Sequence, residues 1–335
     1  MKITVLGAGT WGAALAALLK KNGCEVRLWS ALQSEIDMLK TTGAHKNLPD
    51  AKMPDGIIYE TDIKSAVKES EVLLFVTASE YLRATVKAAA PYIQRGTVLA
   101  TATKGIEKGT LFTMSEVIED EISKFTSEKF DVVALSGPTH AEEVARGLPT
   151  SIVSASKNEA VAMRLAEAVS NEYMRAYTNT DIRGVEIAGA FKNIIALAAG
   201  ITRGMGFGDN ALAMLMTRGI AEITRIGLAM DSHRRTFMGL AGIGDLIVTC
   251  TSRHSRNNRC GELIGRGLSY DEASREIGMV VEGYHALEAG IALAKKHKVE
   301  MPITEAVYDV IISGVSPKEA MKKLMSRDLK SELNV

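Results

Sequence analysis

The chain has 335 residues, which suggests two domains, and 46% of them are hydrophobic, enough for a substantial core. Lysine and arginine number 40, as do aspartate and glutamate, so no global basic field is present to recruit nucleic acid or a membrane surface. Three cysteines without CxxC spacing and six histidines without an HExxH or paired spacing argue against a disulfide framework and against a metal site.

Lys2 precedes an apolar run, Ile3 to Leu19, that superficially resembles a secretion signal. Three glycines break the run and no small-residue cleavage site follows, so it reads as structure and the protein as cytoplasmic. No uninterrupted apolar run reaches the roughly 18–20 residues of a membrane span.

Lys2 to Leu6 reads as a strand, Gly7-Ala8-Gly9-Thr10-Trp11-Gly12 as a turn, and a helix follows to about Lys21 before a second strand, Glu25 to Ser30. This is the setting that the GxGxxG dinucleotide fingerprint requires. Gly7 permits the tight turn, Gly9 lets a pyrophosphate approach the backbone, and Gly12 lets helix and strand pack closely. The helix N-terminus offers N–H groups and partial positive charge to the phosphates. The alternative is a glycine-rich turn of a flavodoxin-like fold. An acid at the end of the second strand would hold the ribose hydroxyls of NAD. Ser30, Ala31, Leu32 and Gln33 supply neither an acid to repel a 2′-phosphate nor an arginine to attract one, so both NADH and NADPH are expected to serve.

Strands then alternate with helices: strands at Ile57–Tyr59, Val72–Val76, Thr97–Ala102, Val132–Leu135 and Ser151–Ser154, with an extra one near Arg175–Thr178. Asp62 caps a helix before Val72, and Ser79–Tyr92, Thr113–Phe125 and Asn158–Asn171 read as helices. The pattern predicts a Rossmann-type, doubly wound α/β domain over residues 1–180. The polar stretch 43–56 reads as a surface excursion. Two post-strand loops stand out. Lys104 beside Gly105 suits a lysine aimed into a cleft, or merely a solvated one. Ser136-Gly137-Pro138-Thr139-His140-Ala141 opens a helix whose N–H groups suit a ligand, or is a plain turn.

From Asp181 strands stop, and residues 181–335 read as an all-α domain with helices at Asp181–Gly208, Asp209–Met230, Phe237–Leu240, Tyr270–Ile277, His285–His297, Thr304–Ile312 and Pro317–Met325. Between Val185 and Ala199 only Glu186, Lys192 and Asn193 are polar. Lys192 shares a helix face with Val185, Ala188, Gly189, Ala196 and Ala199 and has no carboxylate three or four residues away. Either it snorkels to the surface, or it is a buried proton donor and acceptor whose pKa burial lowers. Asp245 and Thr249 fall on one face if their segment is helical. Arg253, His254, Arg256 and Arg259, interleaved with Ser255, Asn257 and Asn258, suit a phosphate cradle. The alternative is a solvated basic face for RNA, against which the neutral whole and the lack of interleaved aromatics argue.

These residues resemble the bacterial-type NAD(P)-dependent glycerol-3-phosphate dehydrogenases over nearly the whole chain. The likeness rests on GAGTWG from Gly7, ATKGIE from Ala102, SGPTHA from Ser136, GAFKNIIALAAG from Gly189, GLAGIGDLIVTC from Gly239, SRNNR from Ser255, VVEG from Val280 and MPITEAVY from Met301. The resemblance implies that Lys192 is the proton acceptor when glycerol 3-phosphate is oxidised and that Lys104 touches substrate and cofactor. It implies substrate contacts from Gly137, Thr139, Asp245, Ser255, Arg256 and Asn257, with Asn193 and Thr249 close by. Thr10, Trp11, Ala31, Ala141, Arg256, Val280 and Glu282 are implied to line the NAD or NADP site. It further implies a phosphorylated small-molecule substrate and a product that feeds phospholipid synthesis. The family often has a basic residue at Ala31 and a proline at Ala78, so two departures stand here. Hydride transfer to dihydroxyacetone phosphate leaves negative charge on oxygen, which two lysines would stabilise while lowering each other's pKa. A β-hydroxyacid reductase would also use a helix lysine but not this arginine cradle, and a non-catalytic dinucleotide sensor would need neither lysine. Oligomeric state stays open, a homodimer among the options.

Overall fold

The structure is a computed structural model that describes residues 1–329 and 331–332. The chain forms two compact units, Met1–Lys104 with Phe112–Ile182, and Gly105–Leu111 with Arg183–Val335. The sequence reading of one boundary near Asp181 does not include the short excursion of residues 105–111, where buried Ile106 joins the helical core.

The first unit runs β1 (Lys2–Leu6), α1 (Thr10–Lys21), β2 (Glu25–Trp29), α2 (Gln33–Thr42), β3 (Ile58–Glu60), α3 (Ile63–Val67), β4 (Val72–Phe75) and α4 (Ser79–Ala89). It continues through β5 (Val98–Thr101), α5 (Met114–Ser123), β6 (Val132–Ser136), α6 (Ala141–Ala145), β7 (Thr150–Ala155), α7 (Glu159–Val169) and β8 (Met174–Asn179). The strands form one sheet in the order β3-β2-β1-β4-β5-β6-β7-β8, parallel throughout except for the β6–β7 pair. Helices on the faces explain why β4, β5 and β6 are continuous buried runs rather than alternating ones. The strand order reverses between β1 and β4, the place where such sheets bind ligands.

Local chemistry sets the helix starts. Asp62 accepts a hydrogen bond from Ser65 N, and Thr113 forms a capping box with Glu116, so Thr113 lies just outside α5. Helix α2 is absent from the sequence reading. Only Ile36 and Leu39 of its ten residues are buried, too thin a stripe to announce a helix, although Gly43 ends it in the left-handed conformation.

The second unit is helical: α8 (Ile182–Gly204), α9 (Asp209–Ala229), α10 (Arg234–Phe237), a π turn at Leu240–Gly244, α11 (Asp245–Thr251), α12 (Arg256–Gly265), α13 (Tyr270–Ile277), α14 (Glu282–His297), α15 (Pro302–Ile311) and α16 (Pro317–Met325). The helix expected at Phe237–Leu240 is instead α10 followed by the π turn, and α12 falls where only a basic run was read. Helix α8 is long and apolar enough to cross a membrane by length and composition, but that window is entirely buried inside the protein, as in a core helix. It packs unusually close to α12. A Cβ on Gly200 or Gly204 would collide with α12 backbone, and a Cβ on Gly261 or Gly265 would collide with that of α8. Two glycines on each helix therefore permit a near backbone-to-backbone crossing, which fixes the start of α12 beside the middle of α8.

Candidate functional site

In the first unit the sequence-predicted site residues gather at the carboxyl ends of the strands. Gly7 follows β1 at φ 126°, where a Cβ would come 2.7 Å from Val76 O, and a Cβ on Gly12 would strike the Gly7 carbonyl. Both glycines are thus required by the turn itself. Gly9 differs, since a Cβ there would meet nothing within 4 Å. The turn packs tightly behind and is open in front, which fits a pyrophosphate approaching the backbone at the start of α1. Thr10 Oγ1 accepts from Asn47 Nδ2 at 2.9 Å, and Leu48 packs in a small cluster with Ala14, Ala141 and Trp11. The 43–56 stretch is therefore partly docked on the turn between β1 and α1, and Asn47 is a neighbour of that turn that sequence reasoning missed, because no motif marks it. Ala31 is exposed just past β2.

The loops after β5 and β6 meet. Lys104 Nζ donates to Gly137 O at 3.2 Å, and Thr139 Oγ1 donates to the same carbonyl at 3.2 Å. Gly137 holds φ 146° with Ser151 O 3.1 Å from where its Cβ would be, so no other residue fits this approach without strain. Lys104, Gly137 and Thr139 thus form one cluster.

In the second unit Lys192 is 6% exposed, which excludes snorkelling. Its partner comes from another helix: Nζ donates to Asp245 Oδ1 at 2.5 Å and to Thr249 Oγ1 at 2.7 Å. Asp245 and Thr249 lie one turn apart on α11, as their spacing anticipated, and the Thr249 hydroxyl donates back to Asp245 O at 2.6 Å. The preceding π turn aims Asp245 inward, and Gly242 within it lies so close to Phe237 backbone that a side chain would clash. Burial pushes the neighbouring Cys250 thiol up to about 12, so it stays protonated and unreactive.

Asn193, next on α8, accepts from Asn257 Nδ2 at 3.0 Å, and Asn257 Oδ1 accepts from Gly283 N at 2.9 Å. This chain ties α8, α12 and the start of α14 together; Glu282 is the first residue of α14, and Val280 precedes it by two residues. Ser255 caps α12, accepting from Asn258 N at 3.2 Å, so Arg256 and Asn257 are its first two residues. A helix N-terminus carrying an arginine and an amide is a ready anion site.

The basic run does not act as one cradle. Arg256 lies at the α12 start beside Asn257, whereas Arg253 and Arg259 line a different cavity with Arg203 and Arg266. The linear spacing concealed this because it did not reveal where α12 begins.

Fold and donor set together define a nucleotide-fold α/β unit joined in sequence to a helical unit with a buried lysine–aspartate pair. Residues 2–162 match the model of the NAD-dependent glycerol-3-phosphate dehydrogenase N-terminus, and residues 181–322 that of its C-terminus. The chain belongs to the NAD-dependent glycerol-3-phosphate dehydrogenase family. It is 50% identical over 333 residues to glycerol-3-phosphate dehydrogenase (NAD(P)+) 2 of Lactobacillus delbrueckii subsp. bulgaricus, covering 99% of each chain. It is 44% identical to the glycerol-3-phosphate dehydrogenase (NAD(P)+) of Bacillus subtilis, covering 99% of this chain and 96% of that one. The crystal structure of glycerol-3-phosphate dehydrogenase from Coxiella burnetii superposes with a TM-score of 0.93 at 36% identity, over 97% of this chain and 99% of that one.

Proposed function

We infer that the protein transfers hydride reversibly between NAD(P)H and dihydroxyacetone phosphate, giving sn-glycerol 3-phosphate, a precursor of phospholipid backbones. The observation that carries the reading is the buried Lys192 ammonium held by Asp245 and Thr249, next to a helix start bearing Arg256 and Asn257.

Gly7, Gly9, Thr10, Trp11 and Gly12 would hold the pyrophosphate end of the cofactor, with Ala31, Lys104, Ala141, Arg256, Val280 and Glu282 contributing further contacts. The nicotinamide, when bound, supplies or accepts the hydride. As the carbonyl is reduced, negative charge develops on its oxygen; Lys192 stabilises that charge and delivers the proton, and takes a proton back in the oxidative direction. Asp245 and Thr249 fix the ammonium so that little reorganisation is needed at the reacting atoms. Lys104, anchored on the Gly137 carbonyl, adds a second positive charge for the substrate, and Thr139 and Gly137 position it. Ser255, Arg256 and Asn257 read the substrate phosphate with charge-assisted hydrogen bonds and helix N–H groups. The three cysteines are free and buried, in keeping with a cytoplasmic, reducing setting.

The direct test is NADH oxidation on addition of dihydroxyacetone phosphate. Turnover dependent on the phosphate ester supports the reading. Oxidation with a β-keto acid but not with dihydroxyacetone phosphate would replace it with a hydroxyacid reductase.

A further inference from the structure

We propose that the helical unit carries a second anion site, on the far side of α12 from Arg256 and Asn257, that takes a small phosphate-bearing molecule. A cavity of about 600 Å³ opens there, well within the size range of small-molecule sites. Arg203, Arg253, Arg259 and Arg266 line it with a single carboxylate, Glu262. Glu262 is already paired with Arg266. Arg253 and Arg259 have neither a carboxylate nor a hydrogen-bond partner among the described residues. Arg203 is pre-organised: its Nη1 donates to Asn258 Oδ1 at 2.8 Å, and Asn258, 1% exposed, is itself fixed by donating Nδ2 to Cys250 O at 2.9 Å. Helices α8, α11 and α12 all end near this cavity, and their carbonyl ends attract cations. At roughly half a charge each, three helix ends offset only part of the surplus of four guanidiniums over one carboxylate. The remaining positive potential in a concave space calls for a compact multivalent anion, for which guanidinium forks and phosphate oxygens match. Arg203 lies eleven residues beyond Lys192 on α8, about 16 Å along the helix, so one ligand phosphate cannot serve both places.

Isothermal titration with inorganic phosphate tests this on the full chain, with NADH saturating and chloride matching ionic strength, and with R256Q in every titrated protein so that the substrate-phosphate site proposed above is disabled. The protein that is wild type at the second site should bind phosphate, and R253Q/R259Q, which alters two exposed side chains, should bind it at least tenfold more weakly and, with Arg256 intact, should leave KM for dihydroxyacetone phosphate unchanged. E262Q, which frees Arg266, should bind it more tightly. No binding by the protein that is wild type at the second site, or equal affinity in all three proteins, overturns the proposal and leaves the arginines as partners of helix ends only.

A different observation carries a second inference, which rests on the cofactor reading above. We infer that Glu35 is the residue that sets the preference for NADH over NADPH. No acid stands among residues 30–33, yet the first turn of α2 folds Glu35 back onto the end of β2. There Ser30 Oγ donates to Glu35 Oε2 at 2.6 Å, while the same Oγ accepts from Leu32 N at 3.1 Å. A half-buried carboxylate at this strand end is placed as the acid that accepts ribose hydroxyls in dinucleotide folds, and its charge opposes a 2′-phosphate. Equilibrium Kd values by NADH and NADPH fluorescence, without substrate, test it. NADH should bind about tenfold or more tightly than NADPH, and E35Q should narrow that gap chiefly by improving NADPH binding. Equal Kd values in wild type, or an unchanged ratio in E35Q, overturn the role of Glu35; failure of both cofactors to bind overturns the cofactor reading instead.

Discussion

Lys192 and Asp245 are 53 residues apart in sequence, and their side chains meet at 2.5 Å with only 7% and 2% of their surfaces exposed. Such a pair is weak evidence of stability but costly to break from one side, because the survivor is then a buried, uncompensated charge. Lys192→Met should therefore lower stability by about 3–5 kcal/mol and reduce single-turnover hydride transfer by about a hundredfold to ten-thousandfold. Adding Asp245→Leu should recover much of the melting temperature and none of the turnover. Lys192→Arg keeps the charge but cannot exchange a proton near neutrality, so it should not rescue activity. A folded Lys192→Met protein transferring hydride at the wild-type rate would remove Lys192 from the mechanism.

The glycine turn separates folding from binding. Gly12→Ala drives a methyl into the Gly7 carbonyl and should destabilise the first unit. Gly9→Ala meets nothing in the protein, so its melting temperature should match wild type while NADH affinity falls. Unchanged NADH affinity in Gly9→Ala would place the cofactor elsewhere.

Arg256→Ala should weaken use of dihydroxyacetone phosphate by about 1.5–3 kcal/mol per charge-assisted hydrogen bond lost. Unphosphorylated dihydroxyacetone should be a poor substrate that loses far less. Comparing kcat/KM for the two, with NADH affinity measured alongside, isolates the phosphate; equal losses would mean that Arg256 does not read it.

At the α8–α12 crossing, Gly261→Ala places a methyl against the Leu197 carbonyl. Overpacking of this kind costs about 1–3 kcal/mol. Because the crossing also sets the Asn193–Asn257 hydrogen bond, KM for the phosphorylated substrate should rise even where the variant stays folded. A destabilised variant with unchanged KM would show that the crossing does not position the anion site.

Burial raises the carboxyl of Glu222 from 4.5 to about 7, against hydrogen bonds from Ile303 N, Thr304 N and Thr304 Oγ1 that favour its charge. The folded state thus holds this proton more tightly than the unfolded chain. The favourable contribution is complete below about pH 4.5 and is lost as pH rises through 7, on the order of 3 kcal/mol in all. Melting curves of wild type and Glu222→Gln from pH 4 to 8 should show wild type losing ground to the variant across that window. A pH-independent difference would mean that Glu222 titrates normally.

Features legible in the sequence are those that neighbours along the chain impose on one another. Strand, glycine turn and helix are contiguous, so the order of residues alone marks Gly7, Gly9 and Gly12, as it marks the Asp62 cap and the one-turn spacing of Asp245 and Thr249. The apolar helical period around Lys192 marked the lysine as unusual but left snorkelling and burial both open, and only the fold buries it. What only the tertiary structure decided involves groups whose meeting depends on how elements pack. Asp245 reaches Lys192 because α11, which starts directly after a π turn packed on the Phe237 backbone, lies beside α8 in the fold. The arginines of the basic run part company because Ser255 starts α12 in their midst and its two faces look different ways. Glu35 returns to Ser30 because a weakly amphipathic helix, nearly invisible to periodicity, turns back at once after β2. Local propensities act over a few residues; burial, charge pairing and close helix crossings are energies of three-dimensional neighbours, which a linear spacing does not encode.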